Sequence, residues 1–428
     1  MKLRSEILAL AVPAIVTNIT TPLLALVDMA ITGHIGEAVY IGAIAVGGTL
    51  FNTLYWLFNF LRMGTGGLAA QAYGAGRGAD TVLARSLVLA IALGCLLVAL
   101  GKPVGQLALR FMDADDATAA LAGRYFGICI WGAPAVLAVY VANGWLVGMQ
   151  NTRATMWIAI ATNVINIIVS ASLVYGAGWK IEGVATGTLS AQWCGALIAA
   201  AVIWFRYRPK LPPLRQVMQP SGFLRFFRIN ADIFLRTACL VAVTLWFTHA
   251  GALQNVDTLA ANALLLQLFM LFSFFMDGFA YAAEALAGKH EGRADRAAVV
   301  AVARALMRTG VAFAAGFALL YLVLGNQILG LLTPNPAVLT LAADYLPWAV
   351  AMPLCGYAAF VCDGLLVGLT HTRTMLLAMA CAMASFFALY FATRSSLGNH
   401  GLWLAFDVYL LVRGVVEYLA MRRYERRK

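Results

Sequence analysis

Hydrophobic residues fill the chain in long runs that are separated by short polar segments. A membrane-spanning helix needs about 20 mostly apolar residues, and each run reaches about that length. The pattern therefore predicts an all-α integral membrane protein with twelve transmembrane helices, at residues 7–32, 40–68, 82–104, 121–149, 156–175, 183–204, 223–247, 259–286, 299–324, 337–368, 375–393 and 402–421. The short connections leave no room for a soluble domain.

Composition and charge agree with this prediction. The 428 residues are 62% hydrophobic and only 11% charged, which is too apolar for the surface of a soluble protein. A net charge of +11 could indicate a nucleic-acid partner. Membrane proteins, however, collect Lys and Arg in their cytoplasmic loops, so we expect no nucleic-acid partner. The seven cysteines lie in apolar runs without a C-x-x-C pair, which predicts small core residues rather than metal ligands.

Basic residues are concentrated in alternate loops. Arg77, Arg153, Lys289 and Arg373 mark four of these loops, and the tail RRYERRK marks the C-terminal end. Because basic loops stay in the cytoplasm, this alternation predicts that both termini are cytoplasmic. An even number of spans leads to the same prediction.

The two halves of the sequence resemble each other. The longest polar segment, RYRPKLPPLRQVMQPSG at residues 206–222, is rich in Pro and basic residues and lies at the midpoint, as expected of a linker. It predicts an N-terminal six-helix lobe at 1–208, a cytoplasmic linker at 209–222 and a C-terminal six-helix lobe at 223–428. The segments GWLVGMQNTR (144–153) and GLLVGLTHTR (364–373) match at six of ten positions, and AAQA (69–72) weakly matches AAEA (282–285). Such a repeat predicts two pseudo-symmetric bundles related by an axis along the membrane normal.

The first predicted helix carries an acid among oily residues. A helical spacing of 100° per residue places four polar residues on one face: Thr17, Thr21, Asp28 and Thr32. A carboxylate at the bilayer centre costs about 2.5 to 3.5 kcal/mol, so an intramembrane acid is a functional candidate by default. Pro13 and Pro22 each remove a backbone hydrogen bond and predispose this helix to bend. The alternative is a paired or protonated acid that only holds helices together.

Two other helices offer polar faces. Asn163, Asn166 and Ser170 share a face of the fifth helix and could solvate Asp28 or a bound cation, or simply form interhelical hydrogen bonds. On the second helix a further set would line a cavity for flat, apolar cations, together with Thr17 and Thr21, or would only pack: Asn52, Tyr55, Trp56, Asn59 and Met63.

The C-terminal half has buried acids of its own. Asp277, Tyr281 and Glu284 line one face of the eighth helix, and Asp363 lies in the tenth. These residues are secondary candidates for an ion or substrate site. The spacings of Asp232 with Arg236, and of Arg413 with Glu417, are i, i+4 and predict structural ion pairs.

Enzyme motifs are weak in this chain. HEGRAD (290–295) fits an acyltransfer pattern and DADD (113–116) contains a metal pattern, but both lie in short loops without a surrounding set of acids. No Walker lysine loop is present, so we expect neither an enzyme nor an ATP-driven pump.

Several blocks together resemble the multidrug and toxic compound extrusion (MATE) family, in particular its DinF branch. These blocks are PAIVTNITTPLLALVDMAITGHIG, FLRMGTGGLAAQAYGAG, NVINII, DGFAYAAEALAGK and LGNHGLWLA. The resemblance implies a V-shaped fold of two six-helix lobes. It also implies that Asp28 is the acid whose protonation bends the first helix and that Asn166 is the family's fifth-helix asparagine. Ser170 departs from the family, which commonly has an aspartate there, and this change disfavours tight Na⁺ binding.

The resemblance implies a secondary multidrug efflux transporter in a bacterial inner membrane. It would export amphipathic, mainly cationic compounds by antiport with H⁺, with Na⁺ as a less favoured coupling ion and no cofactor. We expect a monomer whose partners are small molecules and the lipid bilayer. The alternatives are a flippase for a lipid-linked or amphipathic anion, which would need a strongly basic cavity, and an integral membrane transferase.

Overall fold

A computed structural model describes the backbone of residues 2–33, 38–110 and 115–426. The side chains of residues 2, 21–26, 28–30, 32, 33, 38, 108, 110, 214 and 220–223 lie outside the described set. This excludes the side chains of Thr21, Asp28 and Thr32, so the position of Asp28 is known only from the backbone of its helix.

The described chain is helical almost throughout, and no strand occurs in it. The α-helices are α1 (Lys2–Gly33), α2 (Ala38–Leu57), α3 (Phe60–Ala75), α4 (Ala79–Ala99), α5 (Gly101–Arg110), α6 (Asp116–Cys129), α7 (Ala133–Gly148), α8 (Thr152–Ala171), α9 (Ile181–Tyr207), α10 (Leu214–Val217), α11 (Pro220–Ala252), α12 (Val256–Gly292), α13 (Arg296–Leu332), α14 (Pro336–Gly368), α15 (Thr372–Leu397) and α16 (Asn399–Arg426). A 3₁₀ turn (Ile130–Gly132) precedes α7, and a π-helical turn (Ser172–Gly176) follows α8.

Membrane-spanning character agrees with the predicted pattern. Within the described residues, eleven helical segments are long and apolar enough to cross a membrane, and they correspond to the first eleven predicted spans. The twelfth span corresponds to α16, which has 28 residues but carries Asp407, Arg413 and Glu417. These three residues are only 4%, 3% and 0% exposed, so α16 keeps these charges inside the protein. The predicted all-α membrane fold is confirmed.

Several predicted helices are interrupted. The second predicted helix, 40–68, divides into α2 and α3 at Phe58 and Asn59, where Leu61 N–H donates to the Phe58 carbonyl (3.0 Å) in an i→i−3 bond. The fourth, 121–149, divides into α6 and α7 at the 3₁₀ turn. Pro134 stands in the first turn of α7, where the absence of its N–H costs least.

The chain forms two compact units. The N-unit comprises Val16–Phe227, and the C-unit comprises Met1–Ile15 together with Arg228–Lys428. Helix α1 therefore contributes to both units, and in the C-unit it buries Ile7, Ala11 and Ala14. Lys289 lies 4.0 Å from the carboxylate of Glu6 in the same unit. The lobe limits at 208 and 223 were predicted for the two membrane bundles, which are defined differently from these compact units. Those limits stay a prediction.

The linker is attached to the N-unit. Arg85 Nε donates to the carbonyl of Val217 (2.9 Å), and the backbone N–H of Lys210 donates to Asp80 (3.0 Å). Val217, at the end of α10, is only 2% exposed. The polar segment between the halves thus belongs to the N-unit.

Equivalent turns end equivalent helices in the two units. After α7, Gln150 adopts φ 63°, and Asn151 N–H donates to the Leu146 carbonyl (2.9 Å). After α14, 220 residues further on, Thr370 adopts φ 56° and the next N–H donates to the Leu366 carbonyl (2.8 Å). The strong sequence match at 144–153 and 364–373 therefore reflects a repeated structure.

The weaker sequence match is in the wrong register. Gly76 after α3 (φ 68°) and Ala294 after α12 (φ 57°) occupy the same turn position, which sets an offset of 218 residues. Pairing AAQA with AAEA gives 213 instead, so that pairing is wrong by five residues. Short alanine-rich segments match readily in membrane helices, and here the turn fixes the true register.

Candidate functional site

Helix α8 holds the half of α1 that carries Asp28. Asn163 Nδ2 donates to the carbonyl of Thr20 (3.2 Å), and the hydroxyl of Tyr175 donates to the carbonyl of Ile31 (3.3 Å). Ile31 belongs to the last turn of α1, whose carbonyls have no partner within the helix. Asp28 lies between these two attachment points, so its backbone runs beside the segment 163–175.

The remaining polar residues of the fifth predicted helix point toward α9. Asn166 Nδ2 donates to Thr188 Oγ1 (3.1 Å), and Ser170 Oγ lies 3.5 Å from Asn166 Oδ1. Asn166 and Ser170 are 1% and 0% exposed. A Cβ atom at Gly187 would overlap Ser170 Oγ, so the two helices are in close contact here. The three predicted residues are neighbours, but Asn163 contacts α1 whereas Asn166 and Ser170 contact α9.

A π-helical turn follows directly after this polar set. It covers Ser172–Gly176, and the N–H of Ala177 donates to the carbonyl of Ser172 (3.2 Å). Such turns are rare and are frequently found at functional sites. Tyr175 lies in this turn, so the attachment of α1 at Ile31 depends on irregular backbone. The sequence did not predict this feature.

The predicted cavity residues are divided by the break between α2 and α3. Tyr55 is buried, with its ring 5.4 Å from that of Phe51, which stacks on Phe126 at 4.7 Å. Asn52 and Trp56 are exposed, whereas Asn59 and Met63 are partly buried around the turn. Tyr55 therefore packs inside the N-unit and does not share an exposed face with Asn52 and Trp56. Thr17, in α1, accepts at its carbonyl a hydrogen bond from Thr20 Oγ1 (2.7 Å).

The C-unit contains a buried charge cluster, formed by Arg236, Asp363, Arg413 and Glu417. Asp363 Oδ2 accepts from Arg236 Nη2 and also contacts Arg413 Nη2. Arg413 Nε lies 3.7 Å from Glu417 Oε1. All four residues are at most 7% exposed. Two guanidinium groups and two carboxylates therefore compensate one another within the helices α11, α14 and α16.

One of the two predicted i, i+4 pairs is present. The pair Arg413–Glu417 is confirmed. Arg236 forms its ion pair with Asp363, 127 residues away, and Asp232 accepts a hydrogen bond from Thr372 Oγ1 (2.8 Å). Long-range partners compete with local spacing whenever helices pack closely, and the sequence spacing cannot reveal them.

The secondary candidates occupy different environments. Glu284 is buried at 1% exposure, and Asp277 and Tyr281 are partly buried on the same helix α12. The carboxylate of Asp277 lies within electrostatic reach of Arg413, which connects it to the charge cluster. Asp363 is held by two arginines, an arrangement that favours a structural role.

A polar network missed by the sequence analysis explains the block LGNHGLWLA. Asn399 and Asn262 exchange two side-chain hydrogen bonds (2.8 and 2.9 Å), and Trp403 Nε1 donates to Asn262 Oδ1 (2.8 Å). Asn399 and Asn262 are 3% and 2% exposed, so these bonds satisfy amides that would otherwise be costly to bury. An Asn and a Trp four residues apart at a helix start could have indicated such a network.

The repeated architecture is also visible in comparison with known proteins. The MatE family model matches residues 13–171 and again residues 231–391. The second match begins 218 residues after the first and ends 220 residues after it, in agreement with the register of the turns. The chain belongs to the MatE family.

Individual members of the MatE family match over almost the whole chain. The chain is 38% identical to DNA damage-inducible protein F of Escherichia coli K12 over 423 residues, which cover 97% of this chain and 92% of that protein. This confirms the resemblance to the DinF branch.

Solved structures share the fold. A structure described as the outward-facing conformation of a multidrug resistance MATE family transporter of the MOP superfamily has a TM-score of 0.89 at 18% identity. The match covers 100% of this chain and 97% of the chain in that structure. A MATE structure in the bent conformation gives 0.89 at 18% identity, over 99% and 96% of the two chains. The MatE fold predicted from the sequence is confirmed, and its members are membrane transporters rather than enzymes.

Proposed function

We propose that this MatE protein exports amphipathic, mainly cationic compounds across a bacterial inner membrane in exchange for H⁺. Both termini would lie in the cytoplasm, and the monomer would be the working unit. One observation carries the choice of H⁺. The buried polar residues described in the N-unit are hydroxyls, an amide and Arg62, and none is a carboxylate. Asp28 would then act as a lone acid, which suits a proton better than Na⁺, because tight Na⁺ binding is favoured by more than one anionic ligand.

The proton and the cargo would compete for Asp28. An ionised Asp28 attracts a cationic compound from the cytoplasm, and a proton from the acidic exterior neutralises the carboxylate and releases the compound. A ΔpH of one unit supplies about 1.4 kcal/mol per proton. The membrane potential adds about 2.3 kcal/mol per 100 mV and per charge moved. One proton therefore supports about a tenfold cargo gradient per pH unit.

Helix α1 would convert protonation into movement. Pro22 removes one backbone hydrogen bond near Thr20, and α8 and the π turn after it hold α1 at Thr20 and Ile31. The segment between these points carries Asp28. Loss of its negative charge changes how that segment is solvated, and the proline allows it to bend at low cost.

Buried charge in the C-unit supports a cationic rather than an anionic cargo. Arg236 and Arg413 are the buried basic residues described in this unit, and both contact Asp363. A flippase for an amphipathic anion would need positive charge that is available to its cargo. These two guanidinium groups are instead compensated by carboxylates, which disfavours the flippase alternative.

The direct test is transport by purified protein in liposomes, with ΔpH and ΔNa⁺ imposed separately and one fluorescent cation as cargo. We expect ΔpH alone to drive accumulation and ΔNa⁺ alone to have no effect. Collapse of the proton gradient with an ionophore should abolish transport. Transport that follows ΔNa⁺ and ignores ΔpH would overturn the proposal. Recovery of the cargo in chemically altered form would instead indicate an enzyme.

A further inference from the structure

A second buried acid in the C-unit lies outside the charge cluster. Asp407, in the middle of α16, is 4% exposed, and neither of its carboxylate oxygens has a hydrogen-bond partner among the described residues. No described Arg, Lys or His forms an ion pair with it. The cluster residue Arg413 lies six positions further along the same helix and is occupied by Asp363 and Glu417. Asp407 therefore lacks the compensation that the cluster gives to its own acids.

A buried carboxylate without a partner is a group that can bind a proton. Burying an ion without a partner is very costly, and a carboxyl group avoids this cost by binding a proton. The helices packed on α16 contribute titratable or charged side chains around its buried middle: Arg236 and Cys239 from α11, Asp277 from α12, Cys355, Cys362 and Asp363 from α14, and Tyr390 and Arg394 from α15. Of these, the thiol of Cys355 is close enough to Asp407 to interact with it electrostatically.

Polar groups lie at two levels of the contact between α14 and α16, one at the start of α16 and one at Asp407. At the start of α16, His400 is exposed, and its Nδ1 accepts a hydrogen bond from Trp348 Nε1 (3.1 Å). Residues seven apart on a helix lie on nearly the same face. Asp407 is seven residues after His400 on α16, and Cys355 is seven residues after Trp348 on α14, so each pair shares a face of its helix. The distance along the helix is about 10 Å. The pair Trp348–His400 and the pair Cys355–Asp407 both lie at the contact between α14 and α16.

We propose that Asp407 is a second proton-binding site of this transporter. In this step the Asp407 carboxylate takes up one H⁺ to become a neutral carboxylic acid, and it returns that proton later in the cycle. The inference rests on the proposed proton antiport and extends it from one proton to two. The cluster around Asp363 would stay ionised throughout.

Infrared spectroscopy of the purified full-length protein tests proton binding without transport. A neutral carboxylic acid has a C=O stretch that is lost on ionisation, so we expect a band that weakens as the pH rises. Because a protonated Asp28 gives the same band, the spectra are compared in an Asp28→Asn background, where adding Asp407→Asn should remove the titrating band. The matched control Asp344→Asn, at an exposed acid of α14, should keep it in that background. An unchanged pH-dependent band after Asp407→Asn in that background, or a band there that never titrates, would overturn the inference.

Transport by the same variants separates this inference from the proposed function. With two coupled protons, the limiting gradient of a fluorescent cation should change about a hundredfold per pH unit, and in Asp407→Asn about tenfold. An unchanged pH dependence in Asp407→Asn would refute the second site while leaving proton antiport intact. Absence of ΔpH-driven export in the parent would instead refute the antiport on which the inference rests.

Discussion

Asp363 shows how single residues keep charge inside a largely apolar chain. Its Oδ2 atom contacts the guanidinium groups of Arg236 and Arg413, and Arg413 also forms an ion pair with Glu417. The pairing balances the charges, which a buried ion requires. Such pairs add little net stability, but loss of one partner leaves the other buried and uncompensated.

Arg413→Met should therefore destabilise the protein strongly. The change leaves Asp363 with one guanidinium group and Glu417 without its ion pair, at an expected cost of about 3 to 5 kcal/mol. Chemical unfolding in detergent measures the difference. Arg423→Met, at an exposed position of the same helix, is the matched control and should have almost no effect. Equal stability of the two variants would show that the cluster does not hold α16 in place.

Residue roles were only partly predictable from the sequence. The i, i+4 spacing correctly predicted the pair Arg413–Glu417, whose two members lie on α16. It failed for Arg236, whose partner Asp363 comes from α14. Asp28 was noticeable because the sequence around it is apolar, whereas Asp407 was overlooked, although its carboxylate has no hydrogen-bond partner among the described residues. Only packing shows which buried acids have partners.

At the scale of elements, the two units repeat one helix crossing. Gly144 on α7 faces the backbone carbonyl of Arg62 on α3, and Gly364 on α14 faces that of Ala280 on α12. A Cβ atom at either glycine would overlap the carbonyl. The backbones of the paired helices therefore touch, as small residues allow in membrane helices.

Alanine should be poorly tolerated at both crossings. Gly144→Ala and Gly364→Ala would force paired helices apart and should each cost about 1 to 3 kcal/mol. Gly48→Ala and Gly316→Ala are matched controls in the same two units, because a Cβ atom there meets nothing within 4 Å. Thermal unfolding in detergent compares the four variants. A loss of thermal stability in only one of Gly144→Ala and Gly364→Ala would contradict the structural equivalence of the units.

The membrane-spanning segments and their helical type could be predicted, but the breaks within them could not. Hydropathy gave the spans because backbone in lipid must be helical. The breaks at Phe58–Asn59 and Ile130–Gly132, and the π turn at Ser172–Gly176, depend on packing that leaves no clear pattern in an apolar sequence. Pro134 was the one visible signal of a break. The strong repeat was found correctly, and the weak one was misaligned because alanine-rich segments carry little information.

At the scale of the whole molecule, α1 is the element shared by both units. Its first residues pack in the C-unit, and its second half is attached to α8 in the N-unit. A change of shape near Asp28 would act within a single continuous helix that reaches both units. This gives a physical reason why the coupling acid of such a transporter would lie in the first helix.

The most direct measurement is ΔpH-driven export of a fluorescent cation by Asp28→Asn in proteoliposomes. Asparagine keeps the size of the side chain but cannot gain or lose a proton, so we predict that coupled export is lost. Asp116→Asn, at an exposed acid of the N-unit, is the matched control and should export at the parental rate. If Asp28→Asn also exports at the parental rate with the same dependence on ΔpH, Asp28 is not the coupling residue and the central claim is wrong.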